Sequence, residues 1–232
     1  MNKLTTSNIL GLLLCAFVLG AYLWSSDITL YLALIIFTIL LFTAKGRAFI
    51  SSLGFRKQEN WRKTIVIVVI GLVAVLSMNS VVSTIVSTVP AEEILSQDSL
   101  PFDEELLEEV DEPYGPIDSL GFFLFLLVNA VIVGGFVEEM LFRGILLTYL
   151  PKALGDSNLM LFAIVLVTSL IFGYQHLFQG LPSAVGAVSF SIVMGFIYLK
   201  TDRNLWIVVL IHAVNNAIAI TGGFLLTLLF AW

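Results

Sequence analysis

The sequence predicts an all-α protein, a polytopic transmembrane helical bundle of about seven to eight spans. Hydrophobic residues make up 59% of the 232 residues and charged residues only 12%, whereas a soluble domain carries about 25% charged residues. The apolar residues fall into long runs with few charges, and no segment shows the alternation of a barrel strand. A chain of this composition needs lipid around much of its surface, so the lipid bilayer is an expected partner.

The apolar runs have the length that a membrane-crossing helix requires, which is about 20 residues. They cover residues 8–24, 28–44, 64–88, 119–137, 158–178, 183–199 and 204–231. The direct count is seven, and a partial hairpin at Gly222-Gly223 in the last run would give an eighth. The first run follows Lys3 as in a signal peptide, but no small-x-small cleavage site comes after it. We interpret it as a retained span.

Lysine and arginine predict the orientation of the chain. The loop between the second and third runs contains Lys45, Arg47, Arg56, Lys57, Arg62 and Lys63. If the spans alternate, the loops that contain Lys3, Lys152, Lys200 and Arg203 fall on the same side. The positive-inside rule then predicts a cytoplasmic N-terminus, in a multi-pass protein of the cell (inner) membrane. No basic run suggests a nucleic-acid partner.

The segment 89–117 separates the chain into two membrane parts. It contains ten acidic residues and no lysine or arginine, so we expect an extracytoplasmic loop between three spans in 1–88 and a core in 118–232. One interpretation is a solvated loop. The other is a short amphipathic helix, with Pro101 in its first turn and Phe102, Leu106 and Val110 on one face.

Five strongly polar side chains interrupt the last apolar runs. Glu138, Glu139 and Arg143 lie between residues 119 and 150, His176 between 157 and 199, and His212 between 204 and 232. A charged group at the centre of a span costs about 2.5–3.5 kcal/mol on insertion scales. His212 also shares a helix face with Asn216. The sequence therefore predicts that these residues form one polar cluster.

Each member of this cluster also has a structural explanation. Glu139 and Arg143 are spaced for an i,i+4 ion pair, and a lone histidine near the end of a span is often a hydrogen-bonded interfacial residue. Together, however, the residues suffice for peptide hydrolysis. A carboxylate beside an imidazole can activate water, and an imidazole N–H with an asparagine amide can bind an oxyanion.

Other intramembrane protease chemistries lack their residues. The sequence contains no H-E-x-x-H motif, no aspartate inside a span, and no G-x-S-x-G elbow around Ser169, Ser189 or Ser191. The single cysteine, Cys15, forms neither an internal disulfide nor a thiolate cluster. A proton-coupled transporter could use the same acids and imidazoles as a relay, although we find no internal repeat.

Three motifs follow one another along the core. Residues 138–143 read E-E-x-x-x-R, residues 172–176 read F-x-x-x-H, and residues 212–216 read H-x-x-x-N. In this order, on successive apolar segments, they resemble the type II CAAX prenyl endopeptidases, which are also known as the CAAX protease and bacteriocin-processing, or abortive-infection, family. The resemblance covers about residues 119–219.

The resemblance implies a membrane endopeptidase with a membrane-embedded polar cavity and a peptide or protein substrate at the membrane. Glu138 would activate water with the help of His176. His212 and Asn216 would form the oxyanion hole, and Glu139 and Arg143 would support the site. No cofactor is assigned, but Glu138, His176 and His212 could ligate zinc. A zinc-dependent protease, and a non-catalytic immunity or scaffold protein, therefore stay open as alternatives.

The predicted span boundaries place the cluster at different depths. At 1.5 Å per residue, Glu138 would lie about 30 Å from Asp118, near the cytoplasmic face, whereas His176 would lie near the outer face. Straight spans would not bring these residues together. We therefore expect either that 138–156 continues as a tilted or re-entrant helix or that the spans are offset in depth.

Overall fold

The computed structural model describes residues 6–56, 60–88, 117 and 119–230, and these residues form helices without a strand. The eight helices are α1 (Thr6–Trp24), α2 (Ser26–Leu41), α3 (Ala44–Ser52), α4 (Trp61–Thr88), α5 (Leu120–Leu154), α6 (Asn158–Tyr174), α7 (Leu181–Lys200) and α8 (Leu205–Phe230). A short 3₁₀ turn, Leu177–Gln179, links α6 to α7. The predicted all-α fold class is confirmed.

Four helices, α4, α5, α7 and α8, are long and apolar enough to cross a membrane. Apolar helices of 10–17 residues, Ile9–Trp24, Ser26–Leu41 and Asn158–Tyr174, lie where the first, second and fifth spans were predicted. Large apolar side chains on these helices face outward, as Phe17, Ile70 and Leu229 do at 70%, 63% and 71% exposure. An apolar exterior of this kind fits a lipid environment.

The fourth predicted span, 119–137, is too short. Ser119 caps the start of α5 by accepting a hydrogen bond from the Phe122 amide, and the helix then continues to Leu154 through π-helical turns at Ala130–Glu138 and Met140–Leu146. Most residues after Val137 are buried, including the charged side chains of Glu138, Glu139 and Arg143. In the sequence, these charges have the pattern expected at the end of a span. In the structure, they lie in the middle of a 35-residue helix.

Two further features differ from the prediction. α8 runs unbroken through Gly222-Gly223, so the partial hairpin considered there as an alternative does not form. The basic loop after α2 contains a helix, α3, whose start is capped by Thr43 through a hydrogen bond from the Gly46 amide at 2.9 Å. The acidic segment 89–117 lies outside the described residues except for Ile117.

Small residues bring the core helices into close contact. A Cβ at Gly135 of α5 would lie 2.8 Å from Ala213 Cα of α8, and one at Gly173 of α6 would lie 2.2 Å from the Val188 side chain of α7. Close backbone approach at small residues is typical of helix packing in membranes. These contacts pair α5 closely with α8 and α6 closely with α7.

The bundle has two distinct ends. At one, which we call the basic end, the α3–α4 connection meets the α7–α8 turn, and the Leu205 amide donates to Gly54 O at 2.9 Å. Gly54 is required there, because its φ is +114° and a Cβ would lie 2.5 Å from Arg203 O. At the other end the α1–α2 and α6–α7 turns meet, and Gln175 Nε2 donates to Tyr22 O at 2.8 Å.

Candidate active site

Helix α5 presents two adjacent glutamates to different surroundings. Successive residues on a helix point about 100° apart. Glu138 therefore faces a cavity inside the bundle, whereas Glu139 is fully buried behind the cavity wall. The pair of identical residues thus divides into one carboxylate that reaches the cavity and one that lies in the packed interior.

Glu139 is part of a buried ion pair. Its Oε1 accepts a hydrogen bond from Arg143 Nη1 at 2.9 Å, the i,i+4 contact that the sequence predicted. Arg143 Nη2 also donates to Ser191 O at 2.9 Å and to Ser191 Oγ at 3.1 Å. The guanidinium therefore joins α5 to α7, and it lies 5.7 Å from the ring centroid of Phe172 on α6.

His212 bridges the two glutamates. Its Nδ1 lies 2.8 Å from Glu139 Oε1, and its Nε2 lies 3.9 Å from Glu138 Oε2. An ionised carboxylate can only accept hydrogen bonds, so Nδ1 is the donor toward Glu139. This bond orients the imidazole and turns Nε2 toward Glu138. The rings of Phe190 and Phe172, with centroids 4.6 and 6.4 Å away, pack against the histidine.

His176 reaches the same cavity from the end of α6. Its Nδ1 lies 2.8 Å from Phe172 O, and because a carbonyl oxygen only accepts, Nδ1 is again the donor. Nε2 is then the ring nitrogen that remains available for contacts in the cavity. The Phe172 ring packs near both histidines, with its centroid 4.7 Å from that of His176 and 6.4 Å from that of His212.

Asn216 lies one helical turn after His212 on α8, and its Nδ2 donates to Ala130 O of α5 at 2.9 Å. A Cβ at Gly134 would lie 2.7 Å from this Nδ2. Glycine at position 134 therefore leaves the space that the amide occupies.

The cavity has a volume of about 330 Å³. Glu138, His176, His212 and Asn216 line it, whereas Glu139 and Arg143 do not. Four of the six predicted site residues thus share one cavity, and the other two lie directly behind its wall. Glu139 Oε1 carries both hydrogen bonds of that carboxylate, and Oε2 has no hydrogen-bond partner among the described residues.

The N-terminal helices supply part of the cavity wall, which the sequence did not indicate. Tyr22, Ser26, Asp27, Leu30 and Tyr31 of α1 and α2 all line the cavity. Tyr31 Oη accepts a hydrogen bond from Asn129 of α5 at 2.5 Å. Asn129 and Ser191 were missed as members of the polar network, although a polar side chain in an apolar run is the same signal that identified Asn216.

The contact between Tyr31 and Asn129 also explains the depth of the site. Asn129 is the tenth residue of α5, but it lies beside the start of α2. Helix α5 therefore begins well beyond the α1–α2 turn, and Glu138 lies deep in the bundle rather than at its far face. Helices α5 and α2 are thus offset along the bundle, and 138–154 continues the same helix without a reversal of direction.

The candidate zinc ligands do not form a complete set. Structural and catalytic zinc sites use at least three protein ligands. In the described part of the chain, no three His, Cys, Asp or Glu side chains converge closely enough to hold a metal ion. Of the predicted three, Glu138 Oε2 and His212 Nε2 lie 3.9 Å apart.

Comparison with known proteins gives a match to a protein family. Residues 120–218 match the family model described as type II CAAX prenyl endopeptidase Rce1-like. The matched region begins at the start of α5, ends two residues after Asn216, and contains all three motifs. No curated protein and no solved structure matches the chain.

Proposed function

We propose that this membrane protein, whose residues 120–218 belong to the Rce1-like family of type II CAAX prenyl endopeptidases, is an intramembrane endopeptidase that cleaves a membrane-associated peptide or protein. One observation carries the proposal. A cavity inside an apolar bundle is lined by Glu138, His176, His212 and Asn216, which together include a base and hydrogen-bond donors. Residues 118–232 contain these four side chains, and α1 and α2 complete the wall of the cavity.

Glu138 is the general base in this proposal. Its carboxylate faces the cavity and lies 3.9 Å from His212 Nε2, whereas the Glu139 carboxylate is in direct contact with Arg143 at 2.9 Å. It accepts a proton from a water molecule as the water oxygen attacks the scissile carbonyl carbon. His176, whose Nδ1 donates to Phe172 O, accepts a hydrogen bond from this water through Nε2, and the protonated Glu138 then transfers its proton to the leaving amine nitrogen as the C–N bond breaks.

His212 and Asn216 bind the oxyanion of the tetrahedral intermediate. Asn216 Nδ2 has two hydrogens, and the contact with Ala130 O uses one of them. His212 donates through Nδ1 to Glu139, so its Nε2 must also carry a proton in order to donate to the substrate. The Glu139 carboxylate at 2.8 Å stabilises that imidazolium.

Glu139 and Arg143 act as positioning residues. Neither lines the cavity, and both are almost completely buried, at 0% and 1% exposure. Arg143 fixes Glu139, and Glu139 fixes the His212 ring. This sequence of contacts links α5, α7 and α8 at the level of the reacting atoms, so it sets the geometry that the oxyanion donors need.

The charge distribution supports a location in the cell membrane with the N-terminus in the cytoplasm. Lys152, Lys200 and Arg203 belong to the basic end, together with the α3–α4 connection. Asp27, by contrast, lies at the opposite end. The positive-inside rule assigns the basic end to the cytoplasm.

A cleavage assay tests the proposal. Purified protein in detergent is incubated with a library of internally quenched peptides, and Glu138→Ala is compared with the wild type and with Asp156→Ala, an exposed acid outside the site. We expect hydrolysis by the wild type and by Asp156→Ala, and none by Glu138→Ala. Wild-type turnover in a folded Glu138→Ala protein would contradict the assignment of the base.

A chelator arm separates the zinc-dependent alternative from the metal-independent one. If activity disappears with chelator and returns with added zinc, Glu138 is a candidate ligand rather than the base. If the chelator leaves the activity unchanged, the result agrees with activation of the water by Glu138 without a metal ion. A protein that binds peptides but never cleaves them would instead indicate the non-catalytic alternative.

A further inference from the structure

The cavity extends from the catalytic residues to one end of the bundle. Beyond Glu138 and His212, it is lined by Ser26 and Asp27 at the α1–α2 turn and by Phe178 and Gln179 at the α6–α7 turn. Asp27 and Phe178 are exposed. We call these four residues the mouth of the cavity, because here its lining reaches the outside of the bundle.

In the other direction, the interior is packed. Side chains that are at most 1% exposed lie between the catalytic residues and the basic end: Leu53, Phe142, Tyr198, Leu205, Val208 and Ile211. Tyr198 Oη lies 3.2 Å from Thr148 Oγ1 and donates to Leu53 O at the same distance, which ties α5, α7 and α3 together. A peptide entering from the basic end would have to disrupt this layer.

The mouth lies at the end of the bundle opposite to the positive charges. Of the 11 lysine and arginine residues in the sequence, all except Arg143 fall in the connections or the helix ends that the alternation of spans assigns to the basic end. On the side of the mouth, the sequence contains Asp27 and the ten acidic residues of 89–117. The positive-inside rule therefore assigns the mouth to the extracytoplasmic side.

We infer that the catalytic cavity opens to the extracytoplasmic face of the membrane, so that the substrate is a polypeptide segment exposed at that face. That the cavity binds a substrate rests on the proposed function, whereas the direction of opening rests on the packing and the charges alone. A tail that is confined to the cytoplasm would not reach Glu138, whereas an exported peptide or the outer end of a membrane helix would.

Cysteine labelling tests the direction of opening without any activity. The single cysteine, Cys15, is 1% exposed and serves as an internal background. Gln179→Cys and Asp27→Cys place a thiol at the mouth, and the exposed Asp156→Cys and Lys200→Cys place one at the basic end. A membrane-impermeant maleimide is applied to right-side-out and to inverted vesicles from an expressing bacterium.

We expect the mouth cysteines to be labelled at least 10-fold faster in right-side-out vesicles, and the basic-end cysteines to be labelled faster in inverted ones. The reverse pattern would overturn the inference, as would equal labelling of the mouth cysteines from both sides. The labelling rates of the mouth cysteines and the basic-end cysteines are compared within each preparation. The measurement requires neither a substrate nor catalysis.

An activity arm distinguishes failure of the inference from failure of the proposed function. An impermeant quenched peptide that the detergent-solubilised protein cleaves is added outside each type of vesicle. Cleavage in right-side-out vesicles, with cleavage in inverted vesicles only after detergent is added, supports the inference. Cleavage in intact inverted vesicles overturns it. If no peptide is cleaved even in detergent, the proposed function loses its support, and the labelling pattern still decides the direction of opening.

Discussion

The cavity wall and the polar layer behind it contain the same kinds of side chain in opposite surroundings. On the wall, Glu138 and His176 face a space of about 330 Å³. Behind it, hydrogen bonds of 2.9–3.1 Å join Arg143 to Glu139 and to Ser191. His212 belongs to both regions, because one ring nitrogen contacts Glu139 and the other faces Glu138.

This difference shows how one helix gives adjacent identical residues separate roles. The rotation of about 100° between neighbours is enough to turn one carboxylate to the cavity and the other to Arg143. The first is free to exchange protons with a substrate. The second has its charge compensated, so it can hold an imidazole in place at a tolerable cost in an apolar bundle. The predictions below separate these two regions.

The largest effect on stability is expected from Glu139→Gln. The substitution leaves Arg143 buried without its carboxylate, and breaking one partner of a buried pair costs about 3–5 kcal/mol. We expect a clearly lower thermal unfolding midpoint in detergent, together with reduced turnover because His212 loses its negatively charged partner. The control is Glu138→Gln, which should unfold near the wild-type temperature. Equal stability of Glu139→Gln and the wild type would show that the buried layer does not support the fold.

Gly134→Ala should affect catalysis more than stability. Its methyl group would lie 2.7 Å from Asn216 Nδ2, so the amide must move away from its position beside the cavity. Losing one oxyanion donor costs about 10²–10³-fold in kcat, and we expect a displaced donor to cost about 10–100-fold. Gly222→Ala, on α8, has no atom within 4 Å of the new methyl group and should keep full activity. A fully active Gly134→Ala would remove Asn216 from the oxyanion hole.

Ser191→Ala tests the outer edge of the buried layer. It removes one of the two hydrogen bonds that Ser191 accepts from Arg143 and keeps the bond to the backbone oxygen. We expect a loss of about 1–2 kcal/mol in unfolding free energy and only a small change in KM. Ser189→Ala, two residues earlier on α7, is the matched control and should have little effect. A larger loss for Ser189→Ala would contradict this placement of the network.

The smallest effect is expected from Asp27→Asn at the mouth. The substitution removes an exposed negative charge that lines the cavity, and an exposed pair contributes about 0.2–1 kcal/mol. We expect KM for a lysine-containing peptide to rise a few-fold relative to a matched glutamate-containing peptide, with kcat unchanged. The difference should shrink at high salt. An identical shift for both peptides would mean that the effect is not electrostatic.

Much of the site was predictable because charges in apolar runs are rare. Glu138, Glu139, Arg143, His176 and His212 stand out in the sequence for that reason alone, and the i,i+4 spacing predicted the contact between Glu139 and Arg143 correctly. The hydrogen bond between Glu139 and His212 could not be predicted, because it depends on how α5 packs against α8 at Gly135 and Ala213.

The span boundaries were harder to predict, for a related physical reason. Buried charges that pair with one another or line a cavity do not end a helix, so Glu138, Glu139 and Arg143 were mistaken for the end of a span that continues to Leu154. The offset between α5 and α2 is likewise a tertiary feature, set by contacts such as that between Asn129 and Tyr31. Hydropathy records where a run is apolar but not how deep it lies.

The most direct test of the central claim is to measure turnover and unfolding midpoint together for Glu138→Gln and Glu139→Gln, in one detergent and on one peptide. The account predicts that Glu138→Gln keeps the wild-type midpoint and loses at least about 10²-fold in kcat, the contribution expected of a general base, whereas Glu139→Gln loses stability and retains measurable turnover. A Glu138→Gln protein that still turns over at the wild-type rate would contradict it.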